Sequence, residues 1–140
     1  MGLDTSHGCW HGAYSAFGRW RETIAQVAGY KMMDPTPEEQ NQGHYRPYVA
    51  IEWSGVTADN LAGEWSRTPP DPLVVLIAHY DCEGVIHPKQ GIALAHRLSE
   101  LLPLLPEDGG GHIGNYRDKT QLFINGLMDA YRAGEDVVFS

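Results

Sequence analysis

Hydrophobic residues recur at intervals of three and four in three stretches of the chain, and this spacing predicts three helices. The first stretch ends before Gly29, a residue well suited to the position after a helix. The second begins at Pro88, and Asn115 and Gly134 are placed to cap and to end the third. The expected buried stripes are Ala13, Phe17, Trp20, Ile24 and Val27 in the first, Ile92, Ala95, Leu98, Leu101, Leu102 and Leu105 in the second, and Phe123, Leu127, Ala130 and Tyr131 in the third.

Other stretches have the patterns of β-strands. Residues 73–78 form an unbroken apolar run that is typical of a strand buried on both faces. Apolar residues alternate at Tyr48–Trp53, which predicts a half-buried strand, and shorter strands are expected at Gly2–Ser6 and Val137–Phe139. These elements predict an α+β fold, in which a small mixed sheet of three to four strands packs against about three helices in a single domain over residues 1–140.

The connecting segments are marked by glycine, proline and polar residues. His7–Gly12 is expected to be a glycine-punctuated loop, and Met32–Pro47 a long one that could bind a ligand. A short helix is predicted from Thr57 to Trp65, and Arg67–Pro72 is expected to be an extended linker.

Composition narrows the classes of function. The chain has 140 residues with 42% hydrophobic and 20% charged content, which are values of a globular domain. Its net charge of −8 disfavours binding to a nucleic-acid backbone. No apolar run approaches the roughly 20 residues of a membrane span, and the N-terminus lacks the basic and apolar regions of a signal peptide. A cytoplasmic protein is therefore expected, with a small molecule or a protein as its partner, in an oligomeric state that the sequence leaves open.

Two short segments contain side chains that bind zinc. Three or four converging ligands would suffice for a zinc site, with Glu83 as the base that activates a metal-bound water in a hydrolase. Neither segment has the C-x-x-C or H-E-x-x-H spacing of a specific motif, and the alternative is that His7 and His11 flank a turn. The candidate ligands are His7, Cys9, His11, His79, Asp81 and Cys82.

Calcium is disfavoured at the second of these segments. In the register of an EF-hand loop, Asp81, Glu83 and Gly84 occupy matching positions. His79, however, stands where the first aspartate is needed, and Gln90 stands in place of the bidentate glutamate. A cysteine nucleophile is disfavoured as well, because the acids beside Cys82 oppose its thiolate.

The start of the first predicted helix is a candidate anion-binding site. It would offer Tyr14, Ser15 and Arg19 together with backbone N–H groups to a ligand, whereas Arg21 is expected to be a surface charge. The predicted ligand-binding set joins these three side chains to His79, Asp81 and Glu83.

Three segments resemble a family of small proteins from actinobacteria and their phages and prophages, to which no activity is assigned. They are Gly2-Leu-Asp-Thr-Ser-His7, the stretch from Tyr14 to Arg21, and His79-x-Asp-Cys-Glu-Gly-x-Ile86. The resemblance implies a small accessory protein of bacterial or phage origin, and it implies that the three segments belong to one site. The leading hypothesis is a non-enzymatic binder of a host factor or a small signalling molecule. The alternatives are the zinc hydrolase and a structural or assembly protein of a phage.

Overall fold

A computed structural model describes residues 2–33, 58–65, 67–106 and 115–140. The predicted strand at Tyr48–Trp53 lies outside these ranges, as does the predicted Met32–Pro47 loop beyond Met33. None of the helices in the described ranges is long and apolar enough to cross a bilayer. The described elements form a compact α+β structure.

Three main helices occur where the hydrophobic spacing predicts them. In chain order the described helices are α1 (Tyr14–Val27), α2 (Ala58–Leu61), α3 (Leu73–Ile77), α4 (Pro88–Leu101) and α5 (Tyr116–Ala133), and α1, α4 and α5 are the long ones. α2 is shorter than the segment predicted to reach Trp65. α4 ends at Leu101, where a 3-10 turn at Leu102–Leu104 that contains Pro103 follows it.

The predicted helix ends are confirmed by their geometry. The Asn115 side-chain oxygen accepts hydrogen bonds from the backbone N–H groups of Arg117 at 2.9 Å and Asp118 at 3.2 Å. Gly134 ends α5 in the left-handed region at φ 68°, and Gly29 follows α1 at φ 92°. These local signals fix where the helices begin and end.

Four short strands form two antiparallel sheets rather than the single mixed sheet expected. The strands are β1 (Gly2–Asp4), β2 (His11–Ala13), β3 (Val85–Ile86) and β4 (Val137–Val138). β1 pairs with β2, and β3 pairs with β4. An antiparallel bridge between Thr5 and Phe139 joins the two sheets.

The loop predicted at His7–Gly12 ends in a strand. Thr5 closes the β1–β2 connection, since its backbone N–H donates to the carbonyl of Trp10 at 3.0 Å and its hydroxyl accepts from the Trp10 N–H at 2.9 Å. His7 takes a left-handed conformation, φ 59°, which turns the chain tightly enough for His11 to pair with Asp4.

The buried strand predicted at residues 73–78 is wrong: this run forms α3, Leu73–Ile77. Periodicity cannot separate a short apolar strand from a helix that is buried on all sides. Asp71, two residues before Leu73, supports the helix, because its carboxylate accepts from the backbone N–H of Leu73 at 2.9 Å and so satisfies one donor of the first turn.

The core lies between α1, α4 and α5 and contains a cluster of aromatic rings. Trp10, Phe17, Trp20 and Phe123 have ring centroids 5.0–6.4 Å apart, and Phe139 packs on Phe17 at 5.9 Å. Of the predicted stripes, Ala13 and Tyr131 are exposed, and Val27, Ile92 and Leu102 are half-buried; the other members are buried.

Candidate functional site

His79 is held inside the protein by its own backbone surroundings. The side chain is fully buried, its Nδ1 lies 2.8 Å from the carbonyl oxygen of Tyr80, and its Nε2 lies 2.9 Å from that of Val85. Its ring lies 4.1 Å from that of Phe139. Burial lowers the pKa of His79 below its ordinary value. Both ring nitrogens face carbonyl oxygens, although a neutral imidazole donates to only one of them, and the burial of the ring leaves neither nitrogen accessible from solvent.

The neighbours of His79 differ from one another in exposure. Asp81 is buried, Cys82 is partly exposed and Glu83 is exposed. Burial, followed by the charges of Asp81 and Glu83, raises the pKa of the Cys82 thiol. The thiolate is therefore disfavoured here, in agreement with the expectation from the sequence.

The N-terminal histidines and cysteine are separately engaged. His7 Nε2 lies 3.6 Å from Glu135 Oε1, and His11 Nδ1 lies 3.6 Å from Asp4 Oδ1. Cys9 is buried, and this burial raises the pKa of its thiol to about 12. Within the described ranges, no three His, Cys, Asp or Glu side chains come together as metal ligands. The zinc hypothesis therefore finds no assembled ligand set there.

The predicted anion site at the start of α1 is divided between core and surface. Tyr14 packs against the core, while Ser15 and Arg19 are exposed. Arg21, expected to be a surface charge, is fully buried instead. The surface interpretation is wrong because helix α1 turns this side chain towards the end of α3.

Arg21 connects α1 to the segment that contains His79. Its Nη1 donates to the carbonyl oxygen of His79 at 2.6 Å and to that of Leu76 at 3.0 Å. These carbonyls end α3, so the guanidinium serves as a C-terminal cap. The guanidinium carbon also lies 4.5 Å from the ring centroid of Phe17. The segment from Tyr14 to Arg21 and the segment that begins at His79 therefore meet. They do so through a buried contact between the Arg21 side chain and the backbone of His79.

A cavity of about 400 Å³ lies elsewhere, at the beginning of α4. Three parts of the chain contribute to it: Trp65 together with residues 67–69 and Pro72, then Val75 of α3, and four side chains between His87 and Ala93 at the start of α4. None of the predicted ligand-binding or metal-binding side chains lines this cavity. The lining residues are Trp65, Arg67, Thr68, Pro69, Pro72, Val75, His87, Lys89, Gln90 and Ala93.

Asp71 fixes one wall of the cavity. Its carboxylate accepts from Arg97 Nε of α4 at 3.1 Å and from the Tyr30 hydroxyl at 2.9 Å, in addition to capping α3 at Leu73. Burial, reinforced by the bond to Asp71, raises the pKa of Tyr30. The segment predicted as an extended linker is thus anchored to two helices, so the cavity has a preformed wall.

His87 lies at the cavity entrance between two carboxylates. Its Nδ1 is 2.9 Å from Asp136 Oδ1, and its Nε2 is 3.4 Å from Glu64 Oε2. The hydrogen bond to Asp136 is the main cause of a raised pKa at His87, with Glu64 adding to it against the effect of burial. The raised pKa means that the protonated ring is favoured more strongly here than in water, at a position directly before the first turn of α4.

Gln90 presents a buried acceptor in the cavity wall. Its side-chain oxygen is inaccessible to water and has no hydrogen-bond partner among the described residues. A buried acceptor without a partner costs free energy. Because this oxygen is inaccessible to water, a ligand in the cavity reaches it only if the Gln90 side chain rotates.

The cavity residues give weak signals in the sequence. Lys89 and Gln90 follow the predicted start of α4, and Arg67 lies in a proline-rich stretch that reads as a linker. Pro88 and the two polar residues that follow it were visible as the N-terminus of a helix, the end that carries partial positive charge. That Trp65 and Val75 lie beside it depends on tertiary packing.

No family model matches the chain, and no curated protein or solved structure is found to be similar to it.

Proposed function

We propose that this protein is a non-enzymatic binder of a small organic anion, and that the cavity at the start of α4 is its binding site. One observation carries the proposal: in a chain of net charge −8, the described residues that line this cavity include Arg67, Lys89 and His87, while the carboxylates of Glu64 and Asp136 contact His87 without lining the cavity. Such local segregation of positive charge in an acidic protein favours an anionic ligand.

The helix geometry adds to this preference. α4 has fourteen residues, and its N-terminus lies at the cavity, where backbone N–H groups carry partial positive charge. Pro88 occupies the first turn, and the N–H of Gly91 is already bonded to the carbonyl of His87 at 2.8 Å. The N–H groups of Lys89 and Gln90 belong to the same first turn, so they add positive potential beside the lysine and histidine side chains.

The remaining lining favours a ligand with an apolar, flat portion. Trp65, Pro72, Val75 and Ala93 supply hydrophobic surface. A mostly apolar concavity with a few polar groups is the usual form of a small-molecule site. A volume of about 400 Å³ lies within the usual range for small-molecule sites and suits a ligand of up to about three rings.

Paired fluorescent probes test the proposal. Anilinonaphthalene sulfonate is a flat apolar anion, and phenylnaphthylamine has nearly the same body without the sulfonate. We expect the wild-type protein to bind the sulfonate saturably, at one site per chain, and to bind the neutral probe more weakly. Replacement Lys89→Gln should weaken sulfonate binding about three- to tenfold, the loss of one charge-assisted contact, while binding of the neutral probe changes little.

Arg19→Gln is the matched control, because it removes the same charge from an exposed position on α1. It should leave the affinity for both probes unchanged. Equal binding of the two probes, or equal effects of Lys89→Gln and Arg19→Gln, would overturn the proposal. If only Arg19→Gln weakened binding of the sulfonate, the binding site would lie at the start of α1 instead.

A further inference from the structure

The two carboxylates that flank His87 are held differently. Asp136 makes the shorter contact, 2.9 Å to Nδ1, while Glu64 makes the longer one, 3.4 Å to Nε2. The Glu64 side chain is 65% exposed, compared with 40% for Asp136. An exposed ion pair at such a distance contributes little, because it is screened and restricts a long side chain. Asp136 therefore orients the ring, and Glu64 is the contact that can be exchanged.

A proton on Nε2 of His87 explains why the Glu64 carboxylate lies beside this nitrogen. With Asp136 accepting from Nδ1–H, a neutral imidazole would present the lone pair of Nε2 to the Glu64 carboxylate, which is repulsive. Both contacts are favourable only when both ring nitrogens carry protons. The imidazolium thus has one N–H directed at Asp136 and a second N–H that suits an anion.

The backbone of Glu64 is fixed independently of its side chain. Its carbonyl oxygen accepts from Asn60 Nδ2 at 3.3 Å, and the N–H groups that flank it close turns, Gly63 to Asn60 at 2.9 Å and Trp65 to Gly63 at 3.1 Å. The carboxylate can therefore leave His87 by rotation of the side chain alone. Trp65, the next residue, keeps its place in the cavity wall during this movement.

We infer that Glu64 occupies the place of the ligand's anionic group, so that the ligand binds by displacing a carboxylate of the protein from His87 Nε2. This inference rests on the proposed function and identifies the group that the anion contacts. Glu64 is a specificity-determining residue in this account: every anion must displace it to reach His87 Nε2, whereas a neutral ligand leaves it in place. Asp136 is a positioning residue that keeps the second N–H directed outwards.

Removal of the competing carboxylate should therefore strengthen anion binding. Glu64→Gln is expected to bind anilinonaphthalene sulfonate about two- to fivefold more tightly than wild type, the factor that corresponds to loss of an exposed ion pair. Affinity for phenylnaphthylamine should not change. Glu22→Gln removes the same charge from an exposed position on α1 and is the control for the change in net charge.

A double-mutant cycle separates displacement from general repulsion. In the His87→Gln background, where no imidazolium remains to be uncovered, Glu64→Gln should give no gain. A gain of the same size in both backgrounds would overturn the inference, because Glu64 would then act only as a nearby negative charge.

The outcomes also separate the inference from the proposed function. Sulfonate binding by the wild type, with unchanged or weaker binding by Glu64→Gln, overturns the inference and leaves the proposed function standing. If the Glu64→Gln variant binds the sulfonate and the wild type does not, the inference is supported, because Glu64 then blocks the anion's place completely. Binding by neither protein overturns both.

Discussion

Replacement of Arg21 by Met tests whether a buried guanidinium holds the end of α3 against α1. Arg21 is fully buried, and its Nη1 donates to the carbonyl oxygens of His79 at 2.6 Å and Leu76 at 3.0 Å. Its guanidinium carbon lies 4.5 Å from the centroid of the Phe17 ring. Met fills a similar volume but donates no hydrogen bond, so the variant leaves these acceptors without the arginine.

The expected loss follows from these contacts. The carbonyl of His79 loses a short buried bond, which costs about 1–3 kcal/mol. The carbonyl of Leu76 keeps the N–H of His79 at 3.3 Å, so its loss is smaller, about 0.5–1.5 kcal/mol. Loss of the contact with Phe17 adds about 0.5–2 kcal/mol. Relief from burying a charge offsets part of the sum, and we expect a net decrease of about 2–4 kcal/mol in the free energy of unfolding.

Urea unfolding followed by tryptophan fluorescence measures this loss, because Trp10 and Trp20 lie in the core. Arg19→Met makes the same chemical change at an exposed position of the same helix. It should alter the free energy of unfolding by no more than about 0.5 kcal/mol. Equal stabilities of the Arg21→Met and Arg19→Met variants would refute the capping role of Arg21.

Three further predictions concern pH, backbone conformation and thiol chemistry. The raised pKa of His87 means that its contribution to stability is present below its ordinary pKa of about 6.5 and is lost as the pH rises through the folded-state value. The difference in urea midpoint between wild type and His87→Gln should therefore shrink as the pH is raised; a difference that grows would contradict the ion pairs. Gly63→Ala should lower the free energy of unfolding by at least about 2 kcal/mol, because φ is 93° and the new methyl group would overlap the backbone of β3. Gly134→Ala has a similar positive φ but open space around it, so its loss in the same urea assay should be about 1 kcal/mol, and equal losses would refute the overlap. An aromatic disulfide reagent should modify Cys82 slowly in the folded protein and Cys9 only in urea; rapid native reaction of both thiols would contradict the burial of Cys9.

The long helices were predictable because their signals are local. The stripes containing Phe17, Leu98 and Phe123 repeat at helical intervals, and Asn115 and Gly134 mark the ends of α5 by side-chain and backbone chemistry that depends on adjacent residues. Strand pairing was less predictable. β1 and β4 lie at opposite ends of the chain, and the bridge between Thr5 and Phe139 reflects long-range packing.

α3 and Arg21 were misjudged for related reasons. A five-residue apolar helix that is buried on every side has no polar face, so it lacks the periodicity that would distinguish it from a strand. An arginine in an amphipathic helix is usually at the surface. Burial of the Arg21 guanidinium is favourable here because the buried carbonyl oxygens at the end of α3 accept its hydrogen bonds. The two errors are linked, because Arg21 is buried by capping α3, and the sequence pattern does not predict that helix.

The candidate site was missed because no single segment contains it. Trp65, Val75 and Lys89 belong to three different segments, and none forms a motif on its own. The sequence instead draws attention to His79 and Cys9, whose side chains are buried. Clusters of chemically versatile residues are visible in a sequence, whereas a cavity arises from tertiary packing.

Amide chemical-shift mapping during titration with anilinonaphthalene sulfonate tests the cavity most directly. The account predicts one saturable set of shifts, largest at the backbone amides of Arg67, Lys89 and Gln90 and at the indole N–H of Trp65, with affinity that falls as salt is added. Saturable shifts centred on Ser15–Arg19, or an absence of saturable shifts, would contradict it.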